Sequence, residues 1–286
     1  MKRYNYIIFA ATCLFLSSCQ TDQTGNEITN GGSNYPEDNI VRISNSDVNI
    51  IKVKSEEEIT TATLGLSIDC TSGENDTYDY NNQEWITTDG GGTWTTETSM
   101  LWESSSSINN LFAYSPYDSD FDNSIYAFSA MTDQSTAENI ISSDFFTYIT
   151  TDYTPGESLD LGQAIAIELK HKMVNLQINL TYGNEIADDE ISGDIITVYA
   201  KTDITYTKSN DAVALKTDAT INKITPYTNT DNATAQVIIA PQTIASGSSF
   251  IKFIMGNKKY YFITPEEYTF VSGNSYILDV KVGNDI

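Results

Sequence analysis

Ile165-Ala166-Ile167-Glu168-Leu169-Lys170-His171-Lys172-Met173-Val174-Asn175-Leu176-Gln177-Ile178-Asn179-Leu180 decides how this chain folds. Apolar residues hold odd positions at Ile165, Ile167 and Leu169, with His171 on the same parity, and even positions at Val174, Leu176, Ile178 and Leu180. A period of two marks strands that bury one face. The stretch therefore predicts strands over 165–169 and 174–180 in opposite phase, with a bulge near Lys172 or Met173 switching it.

The same period recurs on both sides. Leu64, Leu66 and Ile68 alternate with small and polar residues, and Cys70 falls on the buried parity, which suits an inert packed thiol. Further strands are expected over 40–43, 48–53, 83–86, 93–98, 108–114, 125–128, 195–200, 235–240, 250–255, 259–263 and 276–282. Asp89-Gly90-Gly91-Gly92 between two of them is the strongest hairpin signal. No long stretch repeats apolar residues at helical spacing, and Asn, Asp, Gly and Ser cluster between short apolar runs. The expected fold is all-β, with two β-sandwiches in tandem over 40–161 and 162–286. The segment 152–162, with Pro155 and Gly156, is the expected linker.

The N-terminus has its own logic. Lys2 and Arg3 precede an apolar run from Tyr6 to Leu16, and Leu16-Ser17-Ser18-Cys19 closes it. The run suits a signal core but is too short for a permanent span. It resembles the lipobox of bacterial lipoproteins, in which the signal is cut before the cysteine and the thiol is lipidated. Residues 1–18 are then the signal peptide, Cys19 the lipidation site and outer-membrane anchor, and the polar segment 19–39 a flexible tether. Several acyl chains, at about 0.8 kcal/mol per buried methylene, hold such a protein on a membrane without a transmembrane helix.

The whole chain has 15 Lys plus Arg against 39 Asp plus Glu, a net charge of −24. Loss of residues 1–18 removes two basic residues and no acidic one, so the mature charge is near −26. Such a surface repels nucleic acid. Of the three cysteines, Cys13 leaves with the signal and Cys19 is consumed by lipid, so no intrachain disulfide is expected. His171 is the only histidine, which excludes a multi-histidine metal site, and its parity makes it a packed, hydrogen-bonded residue. No phosphate loop or cysteine pair is present, and no catalytic, cofactor or metal site is expected. Thr87 to Trp94 resembles the Asp-box turn of sialidase-like propellers, but it occurs once, without a blade repeat. Trp85, Trp94 and Trp102 are candidate aromatic contacts for a glycan, with core packing as their other use.

Several segments together resemble the fimbrillin family of Bacteroidetes, in particular the Mfa-like fimbrillins. These are Trp102 followed by Leu111-Phe112-Ala113-Tyr114-Ser115-Pro116-Tyr117, then Asp133-Gln134, Ser143-Asp144-Phe145, Ile167 to Leu176, and Phe270-Val271-Ser272-Gly273-Asn274-Ser275-Tyr276. The resemblance implies two transthyretin-like sandwich domains and a non-enzymatic fimbrial subunit or surface adhesin. Its expected partners are other fimbrillin subunits and a host or bacterial surface ligand. It also implies export as a lipoprotein, proteolytic removal of a first strand after a basic residue, and filling of the groove by a neighbour's strand. Where the family usually has Arg, this chain has Lys54-Ser55, and Arg42 lies one strand earlier, so Lys54 and Arg42 are the candidate processing sites. The sequence ends soon after the last expected strand, which suits an accessory or tip-like subunit. The alternative reading is a glycan-binding surface lipoprotein of a polysaccharide-uptake system.

Overall fold

The structure is a computed structural model and describes residues 34–44, 60–72, 76–122, 124–183, 195–229, 233–255 and 258–283. The fold is all-β. In the first half, β1 (Ala62–Cys70), β2 (Tyr80–Thr87), β3 (Asn109–Ser115), β4 (Ile125–Ser129), the short helix α1 (Ala137–Ser142) and β5 (Phe146–Tyr153) precede the two-residue β6 (Lys170–His171). Next come β7 (Val174–Tyr182), β8 (Ile195–Ala200), β9 (Asp203–Thr207), β10 (Ala212–Leu215), β11 (Asn222–Ile224) and β12 (Tyr227–Thr228). The chain continues through β13 (Thr234–Ile239), β14 (Gln242–Ile244), β15 (Ser249–Met255), β16 (Lys258–Ile263), β17 (Tyr268–Phe270) and β18 (Ser275–Val282).

Two cores result. In the first, the sheet β2-β1-β3-β5-β6 is buried on both faces. Successive residues of a strand point to opposite faces, yet Leu64 to Ser67 in β1 and Leu111 to Tyr114 in β3 are all buried. One face carries Phe112 and Tyr114, which between them meet Phe121, Phe145 and Tyr206 at ring separations of 4.1 to 6.3 Å. Tyr206 comes from the sheet β10-β9-β4, so a hairpin from the second half of the chain covers the first sheet. Val41, Trp94, Met100, Trp102, Ile165 and Ile167, from irregular segments, belong to the same core.

The second core lies between the sheets β11-β8-β15-β16 and β12-β13-β7-β18, with β18 parallel to β7. The expected phase change occurs by a different device. Rather than a bulge in one strand, the chain leaves the first sheet after His171 and enters the other at Val174. Segment 165–169 keeps the predicted alternation of burial but is extended chain carrying a single bridge at Ile165. Segment 152–162 is no loose linker: Leu159 is in the core, and Gly156 N–H donates to Ser105 C=O at 2.7 Å. The hairpin arm at 93–98 is reduced to one bridge, Ile86 to Thr95. Its turn is held by Thr93 N–H donating to Asp89 Oδ1 and Gly91 N–H donating to Thr87 Oγ1.

The resemblance motifs are joints. Tyr114 Oη lies 2.7 Å from both Asn82 Oδ1 and Asp118 C=O, either of which accepts its one proton, and burial pushes its phenol well above the usual value. Gly65 lies beneath it, and a Cβ there would run into the Tyr114 ring and stand 2.7 Å from Asn82 Oδ1. Gln134, fully buried, donates to Ile238 C=O and accepts from Ile238 N–H, each at 2.8 Å, stitching the loop after β4 to β13. His171 Nδ1 lies 2.6 Å from Asp144 Oδ2. Lys172 Nζ donates to Asp211 Oδ2 at 2.7 Å, while Thr147 and Tyr206 donate to Asp211 Oδ1. Burial alone would raise the Asp211 carboxyl, but these hydrogen bonds outweigh it and hold it below its ordinary value.

Two outcomes follow for stability. Gly65→Ala should cost about 1–3 kcal/mol, the usual cost of overpacking a filled core, read as a shift in denaturant midpoint at constant slope. Because the folded Asp211 is more acidic than the unfolded one, its contribution is fully present above about pH 4 and is lost as pH falls through the lowered value. Asp211→Asn should therefore reduce stability at neutral pH and narrow the gap to wild type on acidification. Parallel curves from pH 6 to pH 2 would contradict this.

Candidate functional site

Residues 39–44 form a strand-like insert, in line with the strand expected over 40–43, and the residues before it close a turn in which Asn39 N–H donates to Pro36 C=O at 3.1 Å. Asn39 C=O accepts from Trp102 N–H at 2.8 Å, and Val41 N–H donates to Met100 C=O at 2.9 Å, forming one antiparallel bridge. On its other edge Arg42 C=O accepts from Ile165 N–H at 2.8 Å, and Ser44 N–H donates to Ile165 C=O at 3.1 Å, forming one parallel bridge. The insert thus pairs on both edges, and Val41 and Ile43 are buried in the first core at 2% and 7% exposure. Withdrawing it would strand four backbone groups, on Met100, Trp102 and Ile165. A buried unsatisfied group costs about 1–3 kcal/mol, so the vacated slot calls for another strand.

Arg42, a candidate processing site, is held in this seam. Its guanidinium donates to both carboxylate oxygens of Asp38, at 2.5 and 3.0 Å, and to Ile40 C=O at 3.1 Å. The Arg42 hydrogen bond, helped by Ile40 N–H, holds the Asp38 carboxyl down to about 2. A protease needs an extended substrate in its own cleft, whereas the carbonyl of the Arg42–Ile43 bond is engaged by Ile165, and the neighbours of Arg42 on either side, Val41 and Ile43, are buried. Cutting there requires the insert to come out first. The other candidate, Lys54, and the lipidation site Cys19 lie outside the described residues.

The aromatic platform is corrected by the structure. Trp85, Trp94 and Trp102 are 3%, 7% and 1% exposed and sit in the first core, Trp102 stacked on Tyr153 at 5.8 Å, so none offers a ring face to a glycan. Large indole surfaces are better buried than displayed in a sheet short of other covering. Cys70 is a buried thiol that donates to Glu103 Oε2 at 3.4 Å. His171 is half-buried against Asp144 and the Phe146 ring.

Two cavities among the described residues bear on the surface. One of 720 Å³ runs along β1, β3 and β5 under Lys208, whose ammonium stands 4.5 Å above the Phe112 ring. Desolvation lowers the Lys208 ammonium from its ordinary value, against the opposing pull of Asp69. The other, of 410 Å³, surrounds β17 and the start of β18. Among the described residues no group of three or more His, Cys, Asp or Glu could hold a metal ion, and no helix is long and apolar enough to cross a membrane.

The seam's partners were not visible in the sequence. Met100 and Ile165 are separated from Val41 by about 60 and 120 residues, and nothing local marks them. The Asp38–Arg42 pair had a signal in its four-residue spacing.

An all-β chain with two cores, a doubly paired N-terminal insert and aromatic joints is a protein of stacked β-sheets. The fimbrillin-like family profile matches residues 45–286, and the chain belongs to that family. None of the curated proteins matches it. Among solved structures it is similar to a candidate cell adhesion protein from Bacteroides uniformis, with 17% identity and a TM-score of 0.61 over 85% of this chain and 93% of that one. A candidate cell adhesion protein from Bacteroides ovatus gives 16% identity and a TM-score of 0.62 over 86% and 92%. A fimbrial protein from Bacteroides ovatus gives 16% and 0.50 over 85% of this chain and 50% of that one. At these identities the likeness is one of fold.

Val41→Asp places a carboxylate in the seam and should lower stability by at least about 2 kcal/mol, since an unpaired buried charge has no compensation there. Limited proteolysis should then cut at Arg42 in the variant while wild type resists. Equal cutting of the two would show that the insert does not protect its own arginine.

Proposed function

We propose that this protein is a fimbrial subunit or surface adhesin, exported as a lipoprotein through Cys19, whose N-terminal insert can be exchanged for a strand of a neighbouring subunit. The observation that carries the proposal is the doubly paired insert at 39–44. It is short, it precedes every other described element, and its removal exposes unpaired backbone on two facing segments together with an apolar slot. Strand addition satisfies both demands at once. Family membership supports the fimbrial role, and the lipobox supports the route.

In this reading, processing falls at Lys54 rather than Arg42, because Arg42 is shielded in the seam. The expected boundary between 161 and 162 moves in this reading to between Met173 and Val174, because Ile165, Ile167, Leu169 and Met173 pack in the first core, which also takes in Tyr206 of β9. Transthyretin-like topology in tandem is part of the same proposal. The expected partners are other fimbrillin subunits, the outer-membrane lipid held through Cys19, and a host or bacterial surface ligand.

Intact mass and N-terminal sequencing of protein recovered from the cell surface test the maturation route. A start at Ser55 is the expected result for an assembled subunit. A lipid-modified start at Cys19 would mean that the insert stays and the protein acts as an anchor or a free surface lipoprotein. A start at Ile43 would refute the shielding of Arg42. For protein starting at Ser55, a peptide of residues 34–44 should bind, and its Val41→Asp version should not.

A further inference from the structure

The sheet β11-β8-β15-β16 carries four lysines and no Asp or Glu in its 22 residues. With 39 acidic residues in 286, a stretch of this length would carry about three. Three of the four lysines fall on the outer face, and the fourth, Lys258, is paired with the inward-facing Met255 at the sheet's edge. Inward, Val198, Phe253 and Phe262 fill the second core. Outward, register sets Lys223 opposite Tyr199, Lys252 between Thr197 and Tyr261, and Lys259 opposite Ile254. Each step moves along the sheet by two residues and toward β16, across two strands and then one, so the three lysines form one oblique row.

Strand spacing near 4.8 Å and a rise of about 3.3 Å per residue place Lys223 and Lys252 roughly 12 Å apart. Lys252 and Lys259 are diagonal neighbours at about 7–8 Å. Lys223 and Lys259 are exposed, Lys252 is half-buried, and none of the three takes part in an ion pair among the described residues. Tyr261, 42% exposed, and half-buried Tyr199 lie beside the line.

We propose that this face binds a linear anionic glycan, carboxylated or sulfated, laid along the lysine row with its sugar rings against Tyr199 and Tyr261. Three observations select this occupant. Positive charge gathered on one face of a chain of net −24 calls for a negative partner. The sheet face measures roughly 19 by 17 Å from strand spacing and rise, less than half of the about 800 Å² per partner that a stable protein interface buries. A nucleic acid, with a charge about every 1.7 Å, meets strong repulsion from the rest of the chain. A glycan with one charge per sugar or two meets less, and beyond about 8 Å that repulsion is screened at physiological salt.

The proposal adds a ligand class to the adhesin reading and is independent of strand exchange, because the lysine face shares no residue with the seam. The test is calorimetric titration of the full mature chain with chondroitin sulfate and alginate oligosaccharides, and with a neutral oligosaccharide of similar length. The expected result is binding of at least one anionic oligomer and not of the neutral one, weakening with added salt. Lys252→Gln with Lys259→Gln should weaken it at least tenfold, whereas Lys216→Gln, elsewhere on the surface, should leave it unchanged. Absence of binding to both anionic oligomers overturns the proposal, as does equal binding by the double variant. So does loss of self-association in the double variant without any glycan signal, which would assign the face to contact with an acidic protein surface. Any of these results leaves the seam, tested by mass and peptide binding, untouched.

Discussion

The crossing from Lys170 to Val174 is the constraint on which the two cores depend. Over five residues the chain pairs with β5, leaves that sheet and enters the other, and three backbone groups on the way bond to segments of both halves. Lys172 N–H donates to Phe145 C=O, Lys172 C=O accepts from Ser272 Oγ, and Met173 C=O accepts from Gly273 N–H. The Lys172 side chain reaches Asp211 at the turn between β9 and β10. One short segment thus ties together β5, the β9–β10 hairpin and the loop before β18. A passage between sheets exposes backbone that neither ladder can use, and such groups must be bonded or solvated. Here they are bonded to both halves, so the halves are fixed to each other where they separate in sequence.

The hairpin β9–β10 completes this arrangement. The first sheet is buried on both faces, which no single sandwich layer accomplishes, and one cover is borrowed from beyond the crossing through Tyr206. The stack of Phe112, Tyr114, Phe121, Phe145 and Tyr206 depends on that loan. The other cover is built from irregular chain, including the N-terminal insert. Regular strands supply the backbone hydrogen bonds, while extended segments supply most of the covering on that face.

The sequence made the alternating strands legible because burial on one face writes itself at every second residue, as in Val174 to Leu180. It also marked the phase change at Lys172 and the Asp89 turn. It concealed β9 to β12, β14 and β17, whose two to five residues are too few for a period to emerge, and the eight-residue β5, whose Thr-rich sequence shows no apolar alternation. It misplaced 165–169 as a ladder strand because an extended segment buried on one side shows the same alternation without ladder partners. Segment 152–162 read as a linker because Pro155 and Gly156 punctuate loops generally, while the contact of Gly156 with Ser105 is long-range. The seam escaped for the same reason: Val41 looks like any strand residue until Met100 and Ile165 are beside it.

The brevity of the insert is what makes its exchange physically reasonable. Its four backbone hydrogen bonds contribute about 1 kcal/mol each, and two buried aliphatic side chains about 1.5–3 kcal/mol each, before the cost of ordering the segment is subtracted. That net is small, but while the segment is covalently attached it is present at an effective concentration in the millimolar range. Cutting the chain leaves every contact intact and abolishes only that concentration. The same slot, with the same unpaired groups on Met100, Trp102 and Ile165, is then open to any strand that is either longer or locally more abundant. Proteolysis can therefore change the occupant without changing the site.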